Sequence, residues 1–212
     1  RRAGAGSRRK ARRKWRASPL IRMAPQPRRG KRLKEETVTN VVIAAGDIVD
    51  VHEDGRARVL KGGIVHVHTG GTAWVEEGGR TYVHKGGWAC VEKGGRANVY
   101  EGGRANVYKG GRAYVQEGGW ACVREGGIAH ILEGGMAHVL AGGVAHVEVG
   151  GMANIEERGT AEVHKGGTAY VEGGGTAHVH TGGWACVEEG GTAFVLKGGS
   201  WVAVQGPAKV EG

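Results

Sequence analysis

Apolar and polar positions alternate along this chain within a phrase of eight residues, most often GGxAxVxx, that is repeated twenty times from Gly46 to Gln205 without insertion or deletion. The fourth position is nearly always Ala and the sixth is Val or Ile, whereas the third, fifth and seventh positions accept almost any side chain. A period of two is typical of a β-strand with one buried face. Each octad is therefore predicted to form a strand whose Ala and Val face inward.

Two adjacent glycines open nearly every octad and mark the turn between strands. Glycine readily adopts positive φ, and its missing Cβ allows another part of the backbone to approach closely. We therefore predict that the pair has a structural role at each turn. Representative turn glycines are Gly62, Gly63, Gly70, Gly71, Gly126 and Gly127.

The outward positions reveal a longer period of sixteen residues. In alternate octads the third position holds blocks of like residues, such as Arg80, Arg96 and Arg112, and nine of the ten histidines lie in this same set of octads. All three cysteines lie in the other set, each within the phrase GGWACV. Two octads per coil predict an all-β fold, a flattened parallel β-solenoid with two sheets and about ten coils. Its length would be roughly 48 Å at the strand spacing of about 4.8 Å.

The phrase GGxAxVxxGG resembles the glycine-rich repeats of RTX-type β-rolls and of AIDA-type autotransporter passengers, the latter over most of residues 62–199. The passenger resemblance implies an adhesin-like role at a cell surface. The RTX resemblance implies a β-roll-like coil, but no Asp follows Asp54, so calcium binding between turns is not expected. Sixteen-residue coils also resemble ice-nucleation proteins. Only Thr160, Thr176 and Thr192 form a short threonine ladder, and ice binding is not predicted.

Composition divides the chain into four segments. We predict a basic, disordered arm (1–36), an N-terminal cap strand (37–45), the solenoid (46–205) and a C-terminal tail (206–212). Residues 1–34 contain fifteen of the thirty Lys and Arg and no acidic residue. The remainder has fifteen basic and twenty-one acidic residues, or six net negative charges, so the arm is basic and the body acidic.

Clusters of Lys and Arg in the arm fit a polyanion such as nucleic acid, with Arg28, Arg29, Lys31 and Arg32 as candidate contacts. A second interpretation is that translation begins at Met23. Residues 1–22, which carry ten positive charges, would then be upstream sequence or a fusion remnant. Nucleic acid is a predicted partner only if the arm is native.

The cysteines and the hydropathy of the chain bear on its compartment. The sequence contains neither a run of eighteen apolar residues nor the apolar core of a signal peptide, so membrane insertion and standard secretion are not predicted. Cys90, Cys122 and Cys186 fall at outward positions two and four coils apart, about 10 and 19 Å, beyond the roughly 7 Å that a disulfide spans. Free surface thiols are expected, and they favour a reducing, cytoplasmic compartment.

Histidines at sixteen-residue spacing suggest a binding site for a divalent metal ion. An HxH pair with a third imidazole from a neighbouring coil is a candidate site for zinc, copper or nickel. The sequence shows no evident carboxylate on that face to orient the rings, and a solvent-exposed polar ladder is the competing interpretation. No resident cofactor is expected, and metal binding remains an alternative function. The candidate ligands are His52, His66, His68, His84, His164, His178 and His180.

The remaining residues favour a non-enzymatic interaction protein. Ser200 is the only serine of the repeat run, and no Ser/His/Asp or paired-acid arrangement stands apart from the repetition. Apolar residues gather at outward or turn positions near the middle of the rod, which indicates a protein partner or another copy of the chain. A second candidate surface is the glutamate face with its tryptophans. The candidate interaction residues are Ile128, Leu132, Met136, Leu140, Val144, Val149 and Met152.

Overall fold

A computed structural model describes residues 40–196 and the backbone of two further strands, 202–204 and 209–211. The predicted arm (1–36) and its candidate polyanion contacts lie outside the described residues. The described elements form two parallel sheets of eleven strands each. The odd sheet consists of β1 (Val41–Ile43), β3 (Arg56–Val59), β5 (Thr72–Val75), β7 (Trp88–Val91), β9 (Arg104–Val107), β11 (Trp120–Val123), β13 (Met136–Val139), β15 (Met152–Ile155), β17 (Thr168–Val171), β19 (Trp184–Val187) and β21 (Val202–Val204). The even sheet consists of β2 (Ile48–Val51), β4 (Ile64–Val67), β6 (Arg80–Val83), β8 (Arg96–Val99), β10 (Arg112–Val115), β12 (Ile128–Ile131), β14 (Val144–Val147), β16 (Thr160–Val163), β18 (Thr176–Val179), β20 (Thr192–Val195) and β22 (Lys209–Glu211).

The predicted two-sheet solenoid with sixteen residues per coil is confirmed. The chain passes from one sheet to the other after every strand, and each strand pairs with the strand two places later. Arg96, for example, lies directly opposite Arg112 in the neighbouring coil. Alanines and valines of the fourth and sixth positions, such as Ala113 and Val115, are fully buried between the sheets. No helix in the described part of the chain is long and apolar enough to cross a membrane.

The two glycines of each turn do different things, as Gly126 and Gly127 show. Gly126 has a φ of 68°, a conformation that favours glycine, and its N–H donates to the carbonyl of Gly142 in the next coil. Gly127 instead makes a close approach, since a Cβ on it would lie 2.5 Å from the carbonyl oxygen of Val107. Its N–H donates to the carbonyl of Arg124 and closes the turn. The first glycine supplies a dihedral angle and the second supplies space.

The spacing of sixteen fails at the C-terminal end. Val202 pairs with Ala185 and Lys209 pairs with Thr192, which are separations of seventeen. The prediction that the repeat continues unbroken to Gln205 is therefore wrong, because one extra residue lies between β20 and β21. Strand β22 also extends the even sheet into the segment that the sequence suggested as a tail.

The chain crosses between the sheets along two edges of the rod, and these edges position the surfaces described below. The first edge is crossed from the even to the odd sheet. It is bordered by the seventh and eighth positions of even-sheet octads and by the third position of the next odd strand. The second edge is crossed from the odd to the even sheet and is bordered by the equivalent positions. Surface residues therefore belong to the odd face, the even face, the first edge or the second edge.

Candidate functional surfaces

Imidazole rings form a stacked ladder at the seventh positions of the even-sheet octads, along the first edge. His52 and His68 have ring centroids 4.5 Å apart, and His68 and His84 have centroids 4.7 Å apart, in both cases with planes inclined by 8°. His84 continues the stack onto Tyr100 at 5.3 Å. A lone pair on a ligating nitrogen lies in its ring plane, and nearly parallel planes share no such point. These stacked rings therefore do not converge on one ion.

His66 lies beside this ladder and touches it. Its Nδ1 is 3.2 Å from the Nε2 of His84, and its ring also stacks on Tyr82 with centroids 4.8 Å apart. The structure thus brings together the four N-terminal histidines of the predicted metal site, as a packed row of rings with one ring-to-ring nitrogen contact. Sequence spacing identified the row but not the stacking that fixes the ring orientations.

The second predicted histidine group is only partly assembled. His164 and His180 stack with centroids 4.8 Å apart, but His178 stacks on Phe194 at 5.1 Å instead of joining them. Within residues 40–196 no group of three or more His, Cys, Asp or Glu side chains is arranged to hold a metal ion. Metal binding by either group stays a prediction that the ring geometry does not favour.

Carboxylates accompany the histidines, which the sequence analysis did not anticipate. Asp50 accepts a hydrogen bond from Nε2 of His68 at 3.3 Å, and Glu162 lies 2.8 Å from Nε2 of His180. Both contacts join the fifth position of one coil to the seventh position of the next, a separation of eighteen residues. The expected lack of a carboxylate partner for these histidines is wrong, because the partners are eighteen residues apart and not on the rungs sixteen residues apart. A diagonal period of eighteen in the sequence would have identified these pairs.

The environment of His84 disfavours its protonated form. Burial is the largest cause that lowers the pKa of His84 below its usual value, and the neighbouring His68 and His66 lower this pKa further. Asp50 acts in the opposite direction with a smaller effect. A proton on this ring would lose water and face other imidazoles at close range.

A second ring, His130, lies under the same constraint in a separate stack at the fifth positions, between Tyr114 and His146. Burial is again the largest cause that lowers its pKa, and His146, stacked at 4.8 Å, adds to the effect. Glu148 raises the pKa of His130, whereas Arg112 and His164 lower it. Each of the two stacks therefore contains a ring, His84 or His130, that favours the neutral state.

Acidification is expected to destabilise the solenoid through these two rings. Their folded pKa values lie below the unfolded value of about 6.5, so the unfolded chain binds protons more readily in that range. Their contribution to stability is fully present above pH 6.5 and declines as the pH falls toward the folded pKa values. Urea unfolding at a series of pH values tests this, with the variant His84→Asn plus His130→Asn as comparison. The variant should depend less on pH below 6.5, and an unchanged dependence would contradict this role for the rings.

The three cysteines are not surface thiols, and that prediction is wrong. Cys90, Cys122 and Cys186 are free, and their exposed fractions are 5%, 6% and 7%. They do point outward from the odd sheet, but longer side chains cover them. Cys90, for example, lies between Trp74 and Asn106 on the neighbouring strands.

Burial also makes the thiols of Cys90 and Cys122 poor nucleophiles. It is the largest cause that raises the pKa of Cys90 to about 11, with Glu92 adding to the effect and Tyr108 and Arg124 opposing it. Burial likewise raises the pKa of Cys122. A thiol held in its protonated form reacts slowly, which argues against a role for these cysteines in nucleophilic chemistry.

The predicted apolar interaction residues separate into two clusters on opposite edges of the rod. The first-edge cluster is the more exposed, with Val149 at 60%, Met136 at 41% and Met152 at 40%. The side chains of Met136 and Met152 are direct neighbours on adjacent strands, as are those of Ile128 and Val144 on the even sheet. The first-edge cluster is Leu132, Met136, Val149 and Met152, and the second-edge cluster is Ile128, Leu140 and Val144.

Comparisons with known proteins find likeness among solved structures. No protein-family model matches the sequence, and no curated protein matches it. Among solved structures, the crystal structure of a TibC-catalysed hyper-glycosylated fragment of TibA is 26% identical, with 84% of this chain and 93% of that chain covered and a TM-score of 0.42. A likeness at this TM-score does not assign a function to this chain.

Proposed function

We propose that this protein is a non-enzymatic β-solenoid that acts as a protein-interaction rod and associates with copies of itself. The observation that carries the proposal is the apolar surface along both edges: Val149, Met136 and Met152 are 60%, 41% and 40% exposed at the first edge, and Ile128, Leu140 and Val144 are half-buried at the second. These side chains add nothing to the core, which the buried Ala and Val of each coil already fill. A contiguous exposed apolar patch is typical of a contact with another protein.

A second copy of the chain is the partner that the repeat favours. Strands along the rod are spaced at about 4.8 Å, and another copy has this same spacing over its whole length. Two rods can therefore match side chains over many coils at once, and each further matched pair adds to the contact without a new arrangement of the backbone. A globular partner offers such a periodic surface only by coincidence.

The test is the mass of the untagged, full-length protein in solution, measured by light scattering over a wide range of concentration, with and without chelator. Metal content is assayed on the same samples. Oligomers that do not respond to chelator support the proposal. A monomer at every concentration would contradict it. Oligomers that contain near-stoichiometric zinc or copper and dissociate with chelator would instead favour the metal-binding rod suggested by the histidine spacing.

A further inference from the structure

The second edge of the rod carries a positive stretch near its middle. Lys93, Lys109 and Arg124 lie there at the seventh and eighth positions, and Arg96 and Arg112 begin the even strands that follow. Glu92 and Glu125 lie among them, so the five basic and two acidic residues of the stretch give a net charge of +3. The five basic side chains are exposed, and they form no ion pair with another residue among 40–196. Lys93 and Lys109 occupy neighbouring rungs, as do Arg96 and Arg112, and like charges on neighbouring rungs repel one another.

The same edge is acidic further along the chain. Over three successive coils it holds five glutamates at the same seventh and eighth positions, and Arg158 is the cation between them. Glu156 contacts the ring of His138. The others are exposed, so this stretch also contains unneutralised charge of one sign. The glutamates are Glu156, Glu157, Glu172, Glu188 and Glu189.

An uncharged coil separates the two stretches. It presents Leu140, Ala141 and Val144 at the edge, three residues without charge. A surface groove runs beside this coil and is lined by Glu92, Tyr108, Lys109, Arg124, Glu125, Leu140 and Ala141. The guanidinium of Arg124 lies over the Tyr108 ring, 5.5 Å from its centroid, which holds this cation at the edge. The order along the edge is thus basic, apolar and acidic.

We propose that two copies of this chain dimerise along the second edge, antiparallel to each other, with the two-fold axis at the coil of Leu140 and Val144. The inference rests on the proposed self-association and names the surface responsible for it. The apolar coil of each copy contacts the same coil of its partner. On either side of the axis, the basic stretch of one copy faces the acidic stretch of the other.

Basic residues before the coil of Leu140 and Val144 and acidic residues after it lie at matching distances from that coil. Lys93 precedes Ala141 by three coils, and Glu189 follows it by three. Lys109 precedes it by two coils, and Glu172 lies beside the position two coils after it. An antiparallel pair therefore places Lys93 against Glu189 and Lys109 near Glu172, twice per dimer, along an edge of about 29 Å at 4.8 Å per coil. The same arrangement places Glu92 against Glu188 and Glu125 against Glu157, but the net charges of the two stretches, +3 and −4, remain complementary.

Arg124 extends the same match one coil from the axis. It precedes Leu140 by one coil and Glu156 follows Leu140 by one. A parallel pair would place each positive charge against its own equivalent, which repulsion disfavours. An isologous contact of this kind uses the same surface on both copies, so association stops at the dimer rather than continuing into a filament.

The experiment reverses the charges of each stretch separately in the full-length protein. The basic-stretch variant is Lys93→Glu plus Lys109→Glu, and the acidic-stretch variant is Glu172→Lys plus Glu189→Lys. Each variant alone places like charges in apposition and should weaken the dimer by at least about 100-fold at low salt, measured by sedimentation. An equimolar mixture should form heterodimers, because each glutamate introduced into one variant then faces a lysine introduced into the other.

A matched control changes charge at the opposite edge. The variant Lys85→Glu plus Lys165→Glu makes the same change in charge at eighth positions of the first edge and should leave the dimer intact. Circular dichroism of every variant confirms that the sheets have formed. All substituted side chains are exposed, so the fold should be retained.

The outcomes separate this inference from the function on which it rests. A monomeric wild type contradicts both. A wild-type dimer that survives both charge reversals leaves self-association standing and overturns the second edge as its surface. Weakened variants that do not recover on mixing overturn the antiparallel arrangement. A dimer lost on removal of residues 1–36 but unaffected by the reversals would show that the basic arm joins the copies, and would overturn the inference as well.

Discussion

Replacement of Gly127 by alanine is expected to lower the free energy of unfolding by about 3–5 kcal/mol, from overpacking and the loss of a buried hydrogen bond. The new Cβ would lie 2.5 Å from the carbonyl oxygen of Val107, closer than any non-bonded carbon and oxygen come. That carbonyl already accepts the N–H of Arg124 at 2.9 Å, so it cannot move without breaking the ladder between coils. Chemical denaturation followed by tryptophan fluorescence measures the loss.

Gly46→Ala provides the matched control, because it isolates the dihedral cost. Gly46 has a φ of 89°, but a Cβ there would meet nothing within 4 Å. Only the penalty for an L-residue in the left-handed region remains, about 1–2 kcal/mol. The chain itself accepts Asp54 and Arg158 at this turn position, with φ of 58° and 59°. Equal losses for Gly46→Ala and Gly127→Ala would contradict the division of roles between the two glycines.

The backbone architecture could be predicted from the sequence because it depends on local alternation and on a period that the chain repeats many times. Ala113 and Val115 are buried, and nearly every coil has a small and a branched residue at these two positions. The burial pattern of one coil therefore predicts that of the others. The extra residue before Val202 could not be foreseen in this way. One inserted residue near the end of the chain does not recur in other coils, so the repeat pattern does not show it. Only the strand pairing reveals it.

The candidate sites could be predicted less well from the sequence. They depend on contacts between different positions of neighbouring coils and on residues that meet at an edge of the rod. Alternation places Cys90 on the outward side of its strand, but this thiol is buried between its neighbours Trp74 and Asn106. The sixteen-residue spacing places His180 beside other seventh positions, whereas its partner Glu162 lies at the fifth position of the preceding coil. Alternation predicts the side of the sheet that a residue occupies. It does not predict which neighbours lean over that residue.

Insertion of one alanine between Ala129 and His130 is expected to cost more than about 4 kcal/mol, because a change of one residue reverses the faces of a strand. His130 would take the inward place of Ile131, which is fully buried between the sheets. The space there fits Ala and Val and offers no partner from the fourth or sixth position of the neighbouring coils, which hold Ala and Val. Loss of the buried Ile adds to the cost of burying an imidazole. Equilibrium denaturation compared with the wild type measures the effect.

The same insertion placed at the turn after this strand should be tolerated much better. An alanine between Glu133 and Gly134 leaves every strand with its original faces and disturbs only the hydrogen bonds of one turn, about 1–2 kcal/mol. The chain already accommodates one extra residue between β20 and β21 while pairing resumes at a separation of seventeen. If both insertions cost the same, the strict period of eight would be a requirement of the turns. If the strand insertion costs far more, alternation within each strand is what holds the sequence to its repeat.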